Sequence, residues 1–390
     1  MKILYITSVP LEYSSSANMR NLALIRGFQQ LGFEISTLSS IPEIESSYYD
    51  KTMVRTDFKD RHWIELGAVH TKFTSKKIES ALDKLKAKLK VIAYKVYTRL
   101  SLYDSRARLA KRIPVSLANE EFDLIISSSD PKSSHLIAEQ LITQYPNITK
   151  LWYQYWGDPF AIDVNKNTLF PTWIVEREER RILEKCHKSI YVSPITHVVM
   201  QEKYPELKKK MVFEPIPYNE QLFYKETNNS QYTLGYFGDY FSKDRTITPL
   251  INSLTDSDIK LHLIGNSDIE ITNTHNINSM SRQSIDFIRK LEAEVDLLIC
   301  VCNKKGTQIP GKIYHYSATN KPILLIVDGE YYTQLVNYFS QFERYYICEN
   351  NVNDIRKTIN EIMNLKQNFN PINYFSPQTI AKRLVNNSNS

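Results

Sequence analysis

Within its first forty residues the chain passes from apolar strand to helix to strand, and this succession constrains the fold more than any other feature. Ile3 to Thr7 is a short apolar run, followed by a polar loop, Ser8 to Ala17, with Pro10 and three consecutive serines. A helical pattern then runs from Asn18 to Leu31, Gly32 ends it, and Phe33 to Leu38 resumes as a strand. Glycine suits the left-handed position just past a helix. Two strands joined through a helix are parallel, with a right-handed crossover. The same alternation returns at Phe122–Ser127, Ser133–Gln144 and Lys150–Tyr155.

A second series begins near Tyr232. Tyr232–Phe237, Lys260–Ile264, Val295–Cys302 and Pro322–Val327 read as strands, with helices around Thr248–Leu254, Ser284–Ala293 and Lys312–Ala318 between them. The expectation is an α/β protein of two doubly wound domains. The first covers residues 1–213 and the second 214–375, the join marked by Glu214 to Pro217. A terminal helix within 376–390, opened by Ser376-Pro377, is expected to pack back on the first domain.

Other classes are disfavoured. No apolar run approaches the roughly 20 residues that span a bilayer, and the N-terminus lacks a signal peptide's apolar core and cleavage site. Four irregularly spaced cysteines (Cys186, Cys300, Cys302, Cys348) suit neither a disulfide framework nor a Cys-rich zinc site. A reducing cytoplasm is the expected compartment. There is no G-x-S-x-G elbow for hydrolase chemistry.

Only ten of 390 residues are glycine, below the usual share of about 7%, so their positions inform. Gly238 and Gly265 each directly follow a strand of the second series, and Gly306 and Gly311 follow the next one ahead of a helix. Doubly wound sheets bind ligands beyond the carboxyl ends of their strands, which points to an anion-binding crevice. Gly306-Thr-Gln-Ile-Pro-Gly311-Lys312-Ile313 is one residue from the P-loop pattern. Ile313 replaces the magnesium-holding hydroxyl, which argues against an NTPase. Pro310 and Gly311 opening a helix, with Lys312, still suit a phosphate.

Ile309-Pro-Gly-Lys-Ile-Tyr-His-Tyr-Ser-Ala-Thr-Asn-Lys-Pro-Ile-Leu324 resembles the donor-binding segment of bacterial family 4 glycosyltransferases. Other stretches agree in order: Tyr236-Phe-Gly238 with Arg245, the Ser-rich run from Phe122 to His135, Trp156-Gly-Asp158-Pro-Phe, and Glu176 to Ser193. The resemblance implies a GT-B fold, two Rossmann-like domains facing across a cleft. It further implies a retaining, metal-independent transferase with no resident cofactor. The C-terminal domain would bind a nucleotide-diphosphate sugar, and the N-terminal domain a glycan or lipid-linked oligosaccharide acceptor, in surface polysaccharide assembly.

On that resemblance His135, Arg245 and Lys312 are the candidate catalytic residues. Arg245 and Lys312 would stabilise the departing diphosphate, and His135 would orient the transferred sugar. Gly238, Gly265, Pro310, Gly311 and His315 would bind the donor, and Asn18, Arg20 and Asp158 the acceptor or sugar, with the donor phosphate the alternative for Asn18 and Arg20. One departure stands out. The two glutamates that the family usually carries align with Thr307 and His315, neither a carboxylate. A neutral His315 ring still offers one donor and one acceptor for a ribose. The loss of both carboxylates leaves open a catalytically idle binding protein, and a nucleotide-sugar epimerase is a weaker alternative.

The net charge is +6, but residues 76–112 alone hold twelve basic side chains against Glu79, Asp83 and Asp104. Ile78, Leu82, Leu85, Leu89, Ile92 and Val96 recur at helical spacing. Two readings compete: a helix packed on the first domain with a solvated lysine face, or peripheral docking to an anionic membrane leaflet, the inner face of the plasma membrane. No motif accompanies the charge that would point to nucleic acid.

Overall fold

The structure is a computed structural model and describes residues 1–66, 99–164, 168–226, 229–365 and 369–386. The amphipathic pattern of residues 78–96 lies outside the described residues. The chain forms two compact units, Met1–Pro215 with Pro377–Ser390, and Ile216–Ser376. The breaks fall close to the expected ones, two residues further along at the first.

In the first unit, β1 (Lys2–Ile6), β2 (Glu34–Ser40), β3 (Arg61–Ile64), β4 (Leu124–Ser128), β5 (Trp152–Trp156), β6 (Lys188–Tyr191) and β7 (Met211–Phe213) form one sheet. Its order is β3-β2-β1-β4-β5-β6-β7, all parallel. The order reverses between β1 and β4, the position at which such sheets bind ligands. Central strands are covered on both faces, which is why Ile3 to Ile6, Leu124 to Ile126 and Trp152 to Trp156 are buried without polar–apolar alternation.

Helix α1 (Ser16–Gln30) follows β1. Ser15 caps it by accepting from the Asn18 N–H at 3.1 Å, and Gly32, at φ +79°, closes it. Helix α2 (Ser133–Gln144) follows β4. Asp104 supports its start, accepting the Ser133 N–H at 3.0 Å and the Ser133 hydroxyl at 2.7 Å. Helices α3 (Thr172–Lys185) and α4 (Pro194–Lys203) flank β6.

The second unit repeats the scheme with β8 (Thr233–Phe237), β9 (Lys260–Ile264), β10 (Ile277–Met280), β11 (Leu297–Val301), β12 (Ile323–Val327) and β13 (Tyr345–Glu349). These are parallel in the order β10-β9-β8-β11-β12-β13. Its helices are α5 (Thr248–Ser253), α6 (Ile285–Glu294), α7 (Lys312–Tyr316), α8 (Tyr332–Ser340) and α9 (Val352–Met363).

The final helix, α10 (Pro377–Asn386), belongs to the first unit and lies on α1. It buries Ile380, Ala381 and Leu384, and each fully buried leucine or isoleucine is worth about 1.5–3 kcal/mol. Close approach is possible because position 27 is glycine: a Cβ there would lie 2.1 Å from the Pro377 carbonyl oxygen. Arg383 secures the helix further, its Nε donating to Glu214 at 2.8 Å.

Candidate functional site

At the carboxyl edge of the first sheet, the loops after β1, β4 and β5 gather charged and polar side chains. Arg20, on α1, is 7% exposed. Its Nη2 donates to the Ser129 carbonyl, and its guanidinium lies 5.2 Å from the centre of the Tyr155 ring. The head lies against Gly157, where a Cβ would come within 2.4 Å of Nη1. Gly157 is therefore part of the site's construction, a role the motif Trp156-Gly-Asp158 did not disclose.

Beside Arg20, Lys132 donates to Asp130 at 2.8 Å and to Asp163 at 2.6 Å. Burial works to raise the Asp130 carboxyl, but Lys132, Arg20 and a hydrogen bond with Asp158 outweigh it and hold the group below the usual range. Lys132 is held above its usual value, since its two carboxylate partners override burial. Asp158 thus joins this network through the neighbouring carboxyl of Asp130. The loop that carries Asp158 is pinned by Glu179 on α3, a fully buried carboxylate. Glu179 accepts from the Phe160 N–H, and from the Tyr204 hydroxyl at 2.9 Å.

His135, in the first turn of α2, is fully buried. Its Nδ1 is 2.8 Å from the Ser127 hydroxyl, which also accepts from Trp152 Nε1 at 2.8 Å. Having accepted from tryptophan, the hydroxyl has its proton left for Nδ1, which favours the tautomer protonated at Nε2. Nε2 itself has no partner among the described residues. The ring packs 4.1 Å from Trp156, and burial pushes its pKa down to about 3, so it is neutral at pH 7.

Asn18 sits differently from the expected ligand-facing position. It is fully buried, and its amide nitrogen donates to the Pro10 and Tyr13 carbonyls, each at 2.8 Å. Its carboxamide braces the serine loop, and the loop rather than Asn18 faces the edge.

In the second unit the residues collect at the carboxyl ends of β8, β9 and β11. Arg245 is half-buried, its Nε donating to Asn303 at 2.9 Å and Nη1 to the Asp239 carbonyl at 2.6 Å. Asp239 in turn accepts from the Asn266 N–H at 2.9 Å and from Arg282. Arg245 is thus oriented by neutral partners and keeps its charge uncompensated by a carboxylate within ion-pair distance among the described residues.

The glycines have roles other than offering N–H groups to a phosphate. The Gly238 N–H donates to the Ile264 carbonyl and the Gly265 N–H to the Met280 carbonyl, at 2.9 and 3.0 Å. Gly265 is a packing position, since a Cβ there would lie 2.0 Å from the Gly238 carbonyl oxygen. A Cβ at Gly238 or Gly311 would meet only ordinary contacts, 3.9 Å from the Tyr236 hydroxyl and 3.8 Å from Ile216 Cδ1. Pro310 and Gly311 lead into α7, whose single turn carries Lys312 and His315. Lys312 lies 3.6 Å from Glu292, a buried carboxylate that also accepts from the Tyr224 hydroxyl at 2.9 Å. Its charge is therefore shared with the protein. His315 is half-buried, and burial first, then Lys312 and Arg289, lowers its pKa.

One Asp-x-Asp triplet, Asp256-Ser257-Asp258, lies in the turn before β9, at the amino edge of the sheet and away from these residues. No helix of the described residues is long and apolar enough to cross a membrane.

No family model and no curated protein sequence matches the chain. Solved structures do. The sucrose-phosphate synthase of Thermosynechococcus elongatus is similar over 98% of this chain and 92% of its own, at 13% identity and a TM-score of 0.55. The catalytic domain of starch synthase IV from Arabidopsis thaliana, bound to ADP and acarbose, is similar over 97% and 94%, at 8% identity and a TM-score of 0.59. An Escherichia coli trehalose-6-phosphate structure bound with UDP-2-fluoro glucose covers 99% and 96%, at 9% identity and a TM-score of 0.52. The chain has the GT-B fold of these glycosyltransferases.

Proposed function

We propose that the protein is a glycosyltransferase that moves a sugar from a nucleotide-diphosphate sugar to a glycan or lipid-linked acceptor. The observation that carries the reading is Arg245. It stands at the carboxyl edge of the second sheet, at the β8/β11 switch point, aimed by Asn303 and the Asp239 carbonyl and not neutralised by an ion pair among the described residues. A preoriented guanidinium suits charge that grows on a leaving diphosphate. ADP and UDP-2-fluoro glucose in two structures of the same fold support a nucleotide-sugar donor.

The family resemblance adds retention of configuration without a metal. In that reaction the acceptor hydroxyl bonds to the anomeric carbon on the face from which the diphosphate departs, and the leaving phosphate oxygen takes the hydroxyl proton. Arg245 stabilises the leaving group, and Lys312 joins it to the extent that a phosphate outcompetes Glu292. His135, neutral and with Nε2 unengaged among the described residues, is a hydrogen-bond donor for a sugar hydroxyl. Asp158 is the candidate for acceptor hydroxyls. Surface polysaccharide assembly on the cytoplasmic side of a membrane is the setting the resemblance suggests, and the basic segment 76–112 supports peripheral binding there. Sedimentation with anionic vesicles in preference to neutral ones is the expected result for such binding.

Calorimetric titration of the full chain with UDP-, GDP- and dTDP-sugars tests the donor site. One nucleotide series is expected to bind, and Arg245→Gln to weaken it about tenfold or more. Unaltered affinity in that variant would remove Arg245 from the site. The second reading, an idle binding protein, is favoured by Thr307 and His315 in place of carboxylates, and predicts donor affinity without product.

A further inference from the structure

The carboxyl edge of the first sheet holds a second arginine whose position is not apparent from sequence. Arg106, half-buried, lies in the short helical segment Ser105–Lys111 that buttresses α2. Its Nη1 donates to the Ser40 hydroxyl at 2.6 Å and to the Ser8 carbonyl at 3.3 Å. Ser8 extends β1 and Ser129 extends β4. These strands pair with Ile6 opposite Ser127, so the two carbonyls that anchor Arg106 and Arg20 stand at matching register positions of adjacent strands. One guanidinium is thus anchored at each of the two strand ends that flank the switch point of this sheet, Arg106 at Ser8 and Arg20 at Ser129.

Neither forms an ion pair within 4.0 Å among the described residues, whereas neighbouring Lys132 is bound to two carboxylates. Arg20 is more than nine-tenths buried, yet of its guanidinium nitrogens only Nη2 has a hydrogen-bond acceptor among the described residues. A buried cation is costly unless a counter-charge or several acceptors meet it. Arg20 acts electrostatically on Asp130, but that carboxylate is committed to Lys132. The planar fork of arginine matches an oxyanion with two oxygens in one plane.

We propose that Arg20 and Arg106 form an anion subsite in the first unit, and that the acceptor is a sugar bearing a phosphate or carboxylate rather than a neutral glycan. The inference rests on the acceptor role proposed for this unit, and it names the chemistry of what the unit binds. The two arginines select the charged group, and Asp158 and His135 remain for hydroxyls.

Calorimetric titration of the full-length protein with glucose 1-phosphate, glucuronate and glucose tests this. Wild type is expected to bind at least one charged sugar about tenfold or more tightly than glucose. Preference for glucose 1-phosphate or for glucuronate assigns the anion as phosphate or carboxylate. Arg106→Gln, at a partly solvated position, and Arg20→Lys are each expected to erase most of that preference. Both are expected to leave binding of the preferred nucleotide unchanged, while Arg245→Gln does the reverse. Equal or unmeasurable binding of charged and neutral sugars by wild type overturns the proposal. So does an equal loss of nucleotide and sugar-phosphate binding in Arg106→Gln, which would assign the arginines to the donor. Failure of nucleotide binding alone, with the sugar preference intact, would count against the donor reading and leave this subsite standing.

Discussion

Gly157→Ala perturbs the first unit's site at one atom. The new Cβ would lie 2.4 Å from Arg20 Nη1, 3.0 Å from Nη2 and 3.1 Å from Cζ. Ordinary contact begins near 3.4 Å, so the guanidinium must retreat by about 1 Å. Its tether is the bond from Nη2 to the Ser129 carbonyl, which such a shift weakens. A hydrogen bond made by a charged group is worth about 1.5–3 kcal/mol, and that is the ceiling on the expected loss of stability. A convenient probe exists: all four tryptophans, Trp63, Trp152, Trp156 and Trp173, lie in the first unit. Urea unfolding followed by tryptophan fluorescence therefore reports this unit without requiring the whole chain to unfold in one step. A double-mutant cycle with Arg20→Ala isolates the cause. With the guanidinium gone, Gly157→Ala should cost little, giving a coupling of at least about 1 kcal/mol. Strictly additive effects would refute the reasoning that Gly157 exists to accommodate Arg20.

Three further outcomes follow from the geometry. Gly27→Ala brings its Cβ against the Pro377 carbonyl, which is backbone and cannot rotate away. A loss of about 1–3 kcal/mol is expected from that overpacking, with α10 becoming the first site of limited proteolysis, and an unchanged cleavage pattern would count against it. His135 titrates near 3 when folded against 6.5 when exposed. The unfolded chain thus binds the extra proton between those values, and the stability is complete above about pH 6.5 and lost as pH falls toward 3. In His135→Gln the fall in stability between pH 7 and 5 should shrink, by up to about 1.4 kcal/mol per pH unit; an identical pH slope would contradict burial of a neutral ring. His315→Glu restores the carboxylate of the resembled family, and calorimetry should find nucleotide affinity raised about tenfold, with no change arguing that α7 does not contact the ribose.

The legibility of the fold divides along the sheets. Strands such as β1, β4, β11 and β12 are readable because both faces are covered and the sequence is continuously or nearly continuously apolar. Among the strands left unread, β3, β7, β10 and β13 are the four sheet edges. Ile277-Asn-Ser-Met280 shows why: half-solvated and held on one side only, it has a single fully buried residue and no period to detect. Helix α6, by contrast, falls on the expected helix around Ser284–Ala293.

The site divides in the same way. Arg20, His135, Asp158 and Arg245 stand out through the family resemblance, and all four follow strand ends, the first two and Arg245 at switch points and Asp158 after β5. Arg106 does not. In sequence it is one charge in a basic stretch, and only the packing of residues 104–112 beside α2 brings it to Ser8 and Ser40. Asn18 errs in the opposite direction, since its place at the start of α1 suggests a ligand while its amide is consumed by the loop before it. Glu292 is similarly hidden: nothing in the spacing from position 292 to 312 announces that this carboxylate meets Lys312.

The central claim is transfer, and nucleotide release measures it most directly. The purified full chain is incubated with UDP-, GDP- and dTDP-sugars, with and without a lipid-linked oligosaccharide extract, in the presence of EDTA. The account predicts acceptor-dependent release of one nucleotide that survives EDTA and is lost in Arg245→Gln. Tight donor binding with no release across authentic acceptors would contradict it and identify an idle binding protein, whereas sugar conversion without acceptor would identify an epimerase.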